Sequence, residues 1–124
     1  MVEDGREIIL PGPYLTEKTF KCLLGGTAFV PVGQFDTYAT LTQLGLQFDY
    51  GLDLSFDQDP GNLTRLEKMV VLIQQLGTMS AQDIYQTTLD STQHNRDCVI
   101  SGDFGRACDR EIEQTLNRLH EILS

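Results

Sequence analysis

The sequence predicts an α/β domain, with a small parallel sheet in its first half and helices filling its second. Between residues 14 and 50, helical spacing alternates with short apolar β-prone runs, the helix–strand–helix–strand order of a parallel sheet. Beyond residue 60, apolar residues recur at helical spacing between recognisable caps. The length, 124 residues with 40% apolar side chains, fits a single domain over residues 1–124 with one ordinary core.

Residues 1–13 read as an extended arm, polar and closing on Pro11-Gly12-Pro13, in which 7–10 reads either as a short strand or as part of an ill-ordered arm. A helix follows from Thr16, which can serve as N-cap, with Glu17 in the first turn where the helix dipole favours negative charge. Phe20, Leu23 and Leu24 share its face, and Gly25-Gly26 stops it. Residues 27–32 are apolar throughout and read as a buried strand bounded by Gly33, with Pro31 placing it near an edge or a strand end. Helical spacing returns over 35–44 through Tyr38, Leu41 and Leu44, Gly45 ends it, and residues 46–48 supply a second strand. Residues 14–50 thus form the αβαβ segment, and residues 60–124 the helical part.

Between them lies an acidic loop, 51–61. Its Asp53, Asp57 and Asp59 lack the glycine and terminal glutamate of a calcium loop, so turn and capping roles are expected. Asp59-Pro60 suits an N-cap and first helical residue, leading into an inward stripe of Leu63, Leu66, Met69, Val70, Ile73 and Leu76 closed by Gly77. Ser80 and Asp83 form a capping box ahead of a helix with Ile84, Tyr85, Thr88 and Leu89 inward. The last helix spans 103–123 with Phe104, Cys108, Ile112, Leu116, Leu119 and Leu123 facing the core.

The formal net charge is −9, and the nine basic residues are scattered, which disfavours binding to a nucleic-acid backbone. No stretch approaches the roughly 18 apolar residues of a membrane span, and the first residues lack a leader pattern. Cys22, Cys98 and Cys108 make an odd count without a CxxC pair, which suits free thiols in a reducing, cytoplasmic setting. His94 and His120 stand singly, so no metal site is expected.

Chemistry concentrates at Thr16-Glu17-Lys18. A helix N-terminus offers free N–H groups to a phosphate, Lys18 adds a point charge for a diphosphate, Glu17 can hold a ribose diol, and Gly25-Gly26 permits close backbone approach. The stretch Tyr14-Leu-Thr-Glu-Lys-Thr-Phe-Lys-Cys-Leu-Leu-Gly-Gly-Thr-Ala-Phe-Val-Pro-Val-Gly33 resembles the donor-binding segment of fucosyltransferase-like glycosyltransferases. It is closer still to a little-characterised phage and bacterial group of that superfamily. Ala28-Phe-Val30, Leu41-Thr-Gln-Leu-Gly45, Ser55-Phe-Asp57, Asn62-x-x-Arg65-x-Glu67 and His94-Asn95 follow in the same order, so the likeness extends to about Asn95.

The resemblance implies the C-terminal, Rossmann-like half of a two-domain transferase, with a nucleoside-diphosphate sugar as donor ligand. It places Lys18 on the diphosphate, Glu17 on the ribose and Thr16 at the helix cap. The N-terminal half of such enzymes supplies the acceptor site and catalytic base; without it this chain is expected to bind a nucleotide sugar but not to transfer it alone. A missing N-terminal domain or a homodimer partner is the expected complement, a dimer also covering the edges of a small sheet. The rival reading is a noncatalytic α/β module whose helices mediate interaction or oligomerisation.

Overall fold

The computed structural model describes residues 2–3, 6–7, 17–32 and 35–124. The helices are α1 (Glu17–Leu24), α2 (Thr37–Gln43), α3 (Asn62–Gly77), α4 (Ala81–Ser101) and α5 (Asp103–Leu123), with a 3₁₀ turn at Ser55–Gln58 between α2 and α3. Near the start, β1 (Val2–Glu3) pairs antiparallel with β2 (Arg6–Glu7), Val2 opposite Glu7. That ladder is the only sheet among the described residues. The expected α/β class, with a parallel sheet and a Rossmann-like half-domain, is therefore corrected to an all-α fold. Of the strand expected at 7–10, only Glu7 lies within the described residues.

The helix ends are local chemistry. At the end of α1 the Thr27 N–H bonds the Cys22 carbonyl and the Gly26 N–H bonds that of Leu23, with Gly26 at φ +63°, a Schellman turn that only glycine adopts without strain. Residues 45–46 repeat it after α2, Leu46 bonding Leu41 and Gly45 bonding Thr42, and both leucines of that turn are buried together. Ser80 and Asp83 close the capping box at the start of α4. Before α3, Asp59 does not cap the helix directly. It accepts the Gly61 N–H at 2.9 Å, a turn two residues long with Pro60 at its centre, and the helix begins at Asn62.

Both expected strands, 27–32 and 46–48, are irregular chain. Their backbone groups are met by side chains instead of a neighbouring strand. Tyr38 Oη donates to the Phe29 carbonyl. Along 45–50 the partner is α4. Thr87 Oγ1 donates to the Tyr50 carbonyl at 2.7 Å, Ser91 Oγ accepts the Asp49 N–H at 2.9 Å, and His94 Nε2 lies 2.9 Å from the Gly45 carbonyl. Asn95 grips both backbone groups of Gln47, each at 2.7 Å. Thr87, Ser91 and Asn95 are spaced by one helical turn, so a polar stripe on a helix replaces a strand ladder. That role explains why Ser91 and Asn95 sit in the interior, while the buried Thr88 and Thr92 hydroxyls donate back to the Ile84 and Leu89 carbonyls of α4 itself.

The core joins two clusters through Phe29 and Phe48. One gathers Tyr38, Tyr50, Phe56, Met69 and Leu72, the other Leu23, Leu41, Leu46 and Phe104. Tyr38 and Phe48 stack with ring centroids 4.7 Å apart, and Phe29 meets Phe48 edge-on at 5.7 Å.

Two inward stripes are corrected. α3 buries Arg65, Met69 and Leu72, while Leu63, Leu66, Val70 and Ile73 face water. The helix carries two apolar stripes, and the buried one is the one whose Arg65 guanidinium lies 5.9 Å over the Phe56 ring and donates to the Pro31 carbonyl. α5 reaches the core only through Phe104 and Cys108; every residue from 109 to 124 is exposed, including Ile112, Leu116, Leu119 and Leu123. On α4, Thr88 is buried and Ile84 and Leu89 half-buried, but Tyr85 is exposed.

Candidate functional site

Of the expected donor-site residues, Thr16 and the Glu17 side chain lie outside what is described, and Lys18 is an exposed residue in the first turn of α1. Among the described residues there is no parallel sheet, and so no crevice at strand carboxyl ends to receive a nucleotide. Gly25-Gly26 builds the α1 terminus, as expected of a helix stop.

The acidic loop holds the chain together. Asp57, buried, accepts the Tyr38 and Ala39 N–H groups at 2.9 and 3.1 Å and so caps α2 from 18 residues away, because Asp36, at φ 69°, makes no side-chain cap there. Asp59 accepts from Gly61 N–H and Thr64 and pairs with Lys68 at 3.0 Å, contacts that hold its carboxyl below the usual range. Hydrogen bonds from Ser55 lower Asp53 in the same way. No three His, Cys, Asp or Glu side chains converge as metal ligands among the described residues.

The three cysteines are free thiols, all half-buried. Burial pushes the Cys98 and Cys108 thiols up from their ordinary value, the direction that suppresses the nucleophilic thiolate. Cys98 Sγ sits 3.4 Å from His94 Nε2, but that imidazole is also set against the Gly45 carbonyl. The pair belongs to the α4 polar stripe that fastens the chain after α2.

What remains without a structural role is apolar surface. On α5, Ile112, Leu116, Leu119 and Leu123 are 58, 59, 50 and 77% exposed and fall in a single stripe at intervals of four, three and four residues. On α3, Leu63, Leu66, Val70 and Ile73 form a second exposed stripe at intervals of three, four and three. Both alternate in the way that lines a helix–helix seam. A monomer seldom leaves a contiguous apolar surface on this scale in water. The signal was present in the sequence, but an amphipathic stripe looks the same whether it meets its own core or another chain.

No family model, no curated protein and no solved structure matches the chain. No helix among the described residues is long and apolar enough to cross a membrane.

Proposed function

We propose that the chain is a noncatalytic, all-helical interaction module that presents α5 as its contact face. The observation that carries this is the exposure of every residue from 109 to 124 together with the stripe Ile112, Leu116, Leu119 and Leu123. In proteins, amphipathic helices draw most of their stability from packing of the apolar face, and the apolar face of α5 has no such packing beyond Cys108. The free, half-buried thiols suit a reducing, cytoplasmic setting.

Thermal unfolding of Leu116→Glu/Leu119→Glu at low micromolar concentration tests the reading. These side chains lie outside the core, so stability stays within about 0.5 kcal/mol of the parent, as for ordinary surface changes. A loss of several kcal/mol means the face is part of the fold itself and defeats the proposal. The nucleotide-sugar reading has its own measurement: saturable binding of a nucleoside diphosphate that disappears in Lys18→Ala restores it over the interaction reading.

A further inference from the structure

The α5 stripe is symmetric. Its intervals, four, three and four residues from Ile112 to Leu123, read identically in either direction along the helix. A surface of that kind fits itself about a two-fold axis, the arrangement in which residue i meets j and j meets i. We propose that the occupant of the α5 face is α5 of a second copy of this chain, packed antiparallel about an axis passing between Asn117 and Arg118. The inference rests on α5 being a contact face, as proposed above.

In that register Leu116 lies opposite Leu119 of the other copy and Ile112 opposite Leu123, so four layers close without a mismatch. Ile122, 78% exposed, borders the seam. Glu113 and His120 occupy equivalent flanking positions on the two sides, which brings the carboxylate of each copy toward the imidazole of the other.

Charge selects the direction. Each helix joins its own body at Phe104 and Cys108, just ahead of the stripe. Antiparallel packing sets the two bodies at opposite ends of the helix pair, whereas parallel packing would set two chains of net charge −9 side by side. Stable complexes bury roughly 800 Å² per partner. Four large side chains on a single helix, each half or more in water, approach that figure only with their flanks, which points to a dimer that dissociates on dilution. The α3 stripe is symmetric as well, but it lies on a helix packed into the body, which makes it the natural control.

Sedimentation equilibrium from micromolar to millimolar concentration, on the full chain, decides between them. Wild type is expected to dimerise, Leu116→Glu, which disrupts two of the four layers, to need at least about tenfold more protein, and Leu66→Glu on α3 to behave as wild type. Loss of dimer in Leu66→Glu with retention in Leu116→Glu overturns the α5 assignment. A wild type that stays monomeric to millimolar concentration overturns self-pairing; if Leu116→Glu then unfolds at the parent's temperature, the contact face itself survives and another protein covers it. A lower unfolding temperature for Leu116→Glu in the monomer defeats both readings together. Orientation is read from nitroxide side chains carried on an unnatural amino acid. A label pair at position 117 lies close across the two-fold axis, while a pair at position 124 is offset by roughly 20 Å along the helix direction at 1.5 Å rise per residue. Equal separations at the two positions mean parallel packing and overturn the proposed axis.

Discussion

Tyr38 and Tyr50 stand edge to face in the core, ring centroids 6.2 Å apart, and differ in a single hydrogen bond. Tyr38 Oη donates to the Phe29 carbonyl, whereas the buried Tyr50 hydroxyl completes no hydrogen bond of full geometry and meets only the Phe29 backbone. A made bond contributes about 1 kcal/mol net, and an unmade buried one contributes nothing or costs. Tyr38→Phe is therefore expected to lower stability by about 1 kcal/mol in chemical denaturation, and Tyr50→Phe to leave it unchanged or raise it slightly. Equal losses for the two would show that both hydroxyls are satisfied. Burial also keeps both phenols protonated. Tyr50 is pushed up to about 12 and Tyr38 well above the ordinary value, in each case chiefly by desolvation. In the unfolded chain a tyrosine loses its proton near pH 10, so above that pH the unfolded state binds fewer protons than the folded one. The contribution of the two tyrosines is whole below pH 10 and falls as pH rises beyond it, by up to about 1.4 kcal/mol per pH unit for each. Denaturation midpoints across that window check the slope, and replacing either residue with Phe should roughly halve it.

At the scale of elements, the decisive contact is α4 against the chain from Gly45 to Gly51. Asn95 holds both backbone groups of Gln47, so Asn95→Ala removes two hydrogen bonds and leaves a buried void; the expected cost is about 2–3 kcal/mol. Gly51 is equally constrained. It sits at φ +70°, and an added Cβ would collide with Thr87 Oγ1, so Gly51→Ala forces that hydroxyl off the Tyr50 carbonyl and destabilises by about 1–3 kcal/mol. Amide exchange should report both substitutions as faster exchange at Gln47 and Asp49, with Gln93→Ala on the exposed side of α4 as the silent control. The same contact marks the limit of what could be read from the sequence. Helix ends were legible because they are local: Ser80 with Asp83 and Gly45 after α2 act within one turn. The apolar runs at 27–32 and 46–48 were read as strands because buried irregular chain and buried strand share the same composition. What separates them is a partner some 40 residues away, the Thr87–Ser91–Asn95 stripe, which in the sequence looks like an ordinary solvated helix face. The donor-site residues rested on that sheet, so their surroundings were no more legible than the strands.

At the scale of the whole molecule, the same ambiguity reappears as surface. Leu63, Leu66, Val70 and Ile73 on α3 and the stripe on α5 have the spacing of core positions, yet the chain folds without burying them. Complete burial of a Leu or Ile side chain stabilises by about 1.5–3 kcal/mol. Four from each copy, each already partly covered, must offset an association cost of about 4–15 kcal/mol. The two terms nearly cancel, so the proposed dimer is sensitive to secondary forces, net charge among them. Two chains of net charge −9 repel one another even with their bodies at opposite ends of a helix pair. Added salt screens that repulsion, the Debye length shrinking from about 30 Å at 0.01 M to about 10 Å at 0.1 M, while the apolar seam is untouched. Self-association is therefore expected to strengthen as salt is raised over this range, measured as a falling dissociation constant at fixed pH. That is the opposite of the salt dependence of a nucleic-acid binder, which releases counterions and weakens. Weakening with salt would mean that the contact is held by opposite charges instead of by Ile112, Leu116, Leu119 and Leu123, and would direct attention to the acidic and basic residues flanking them.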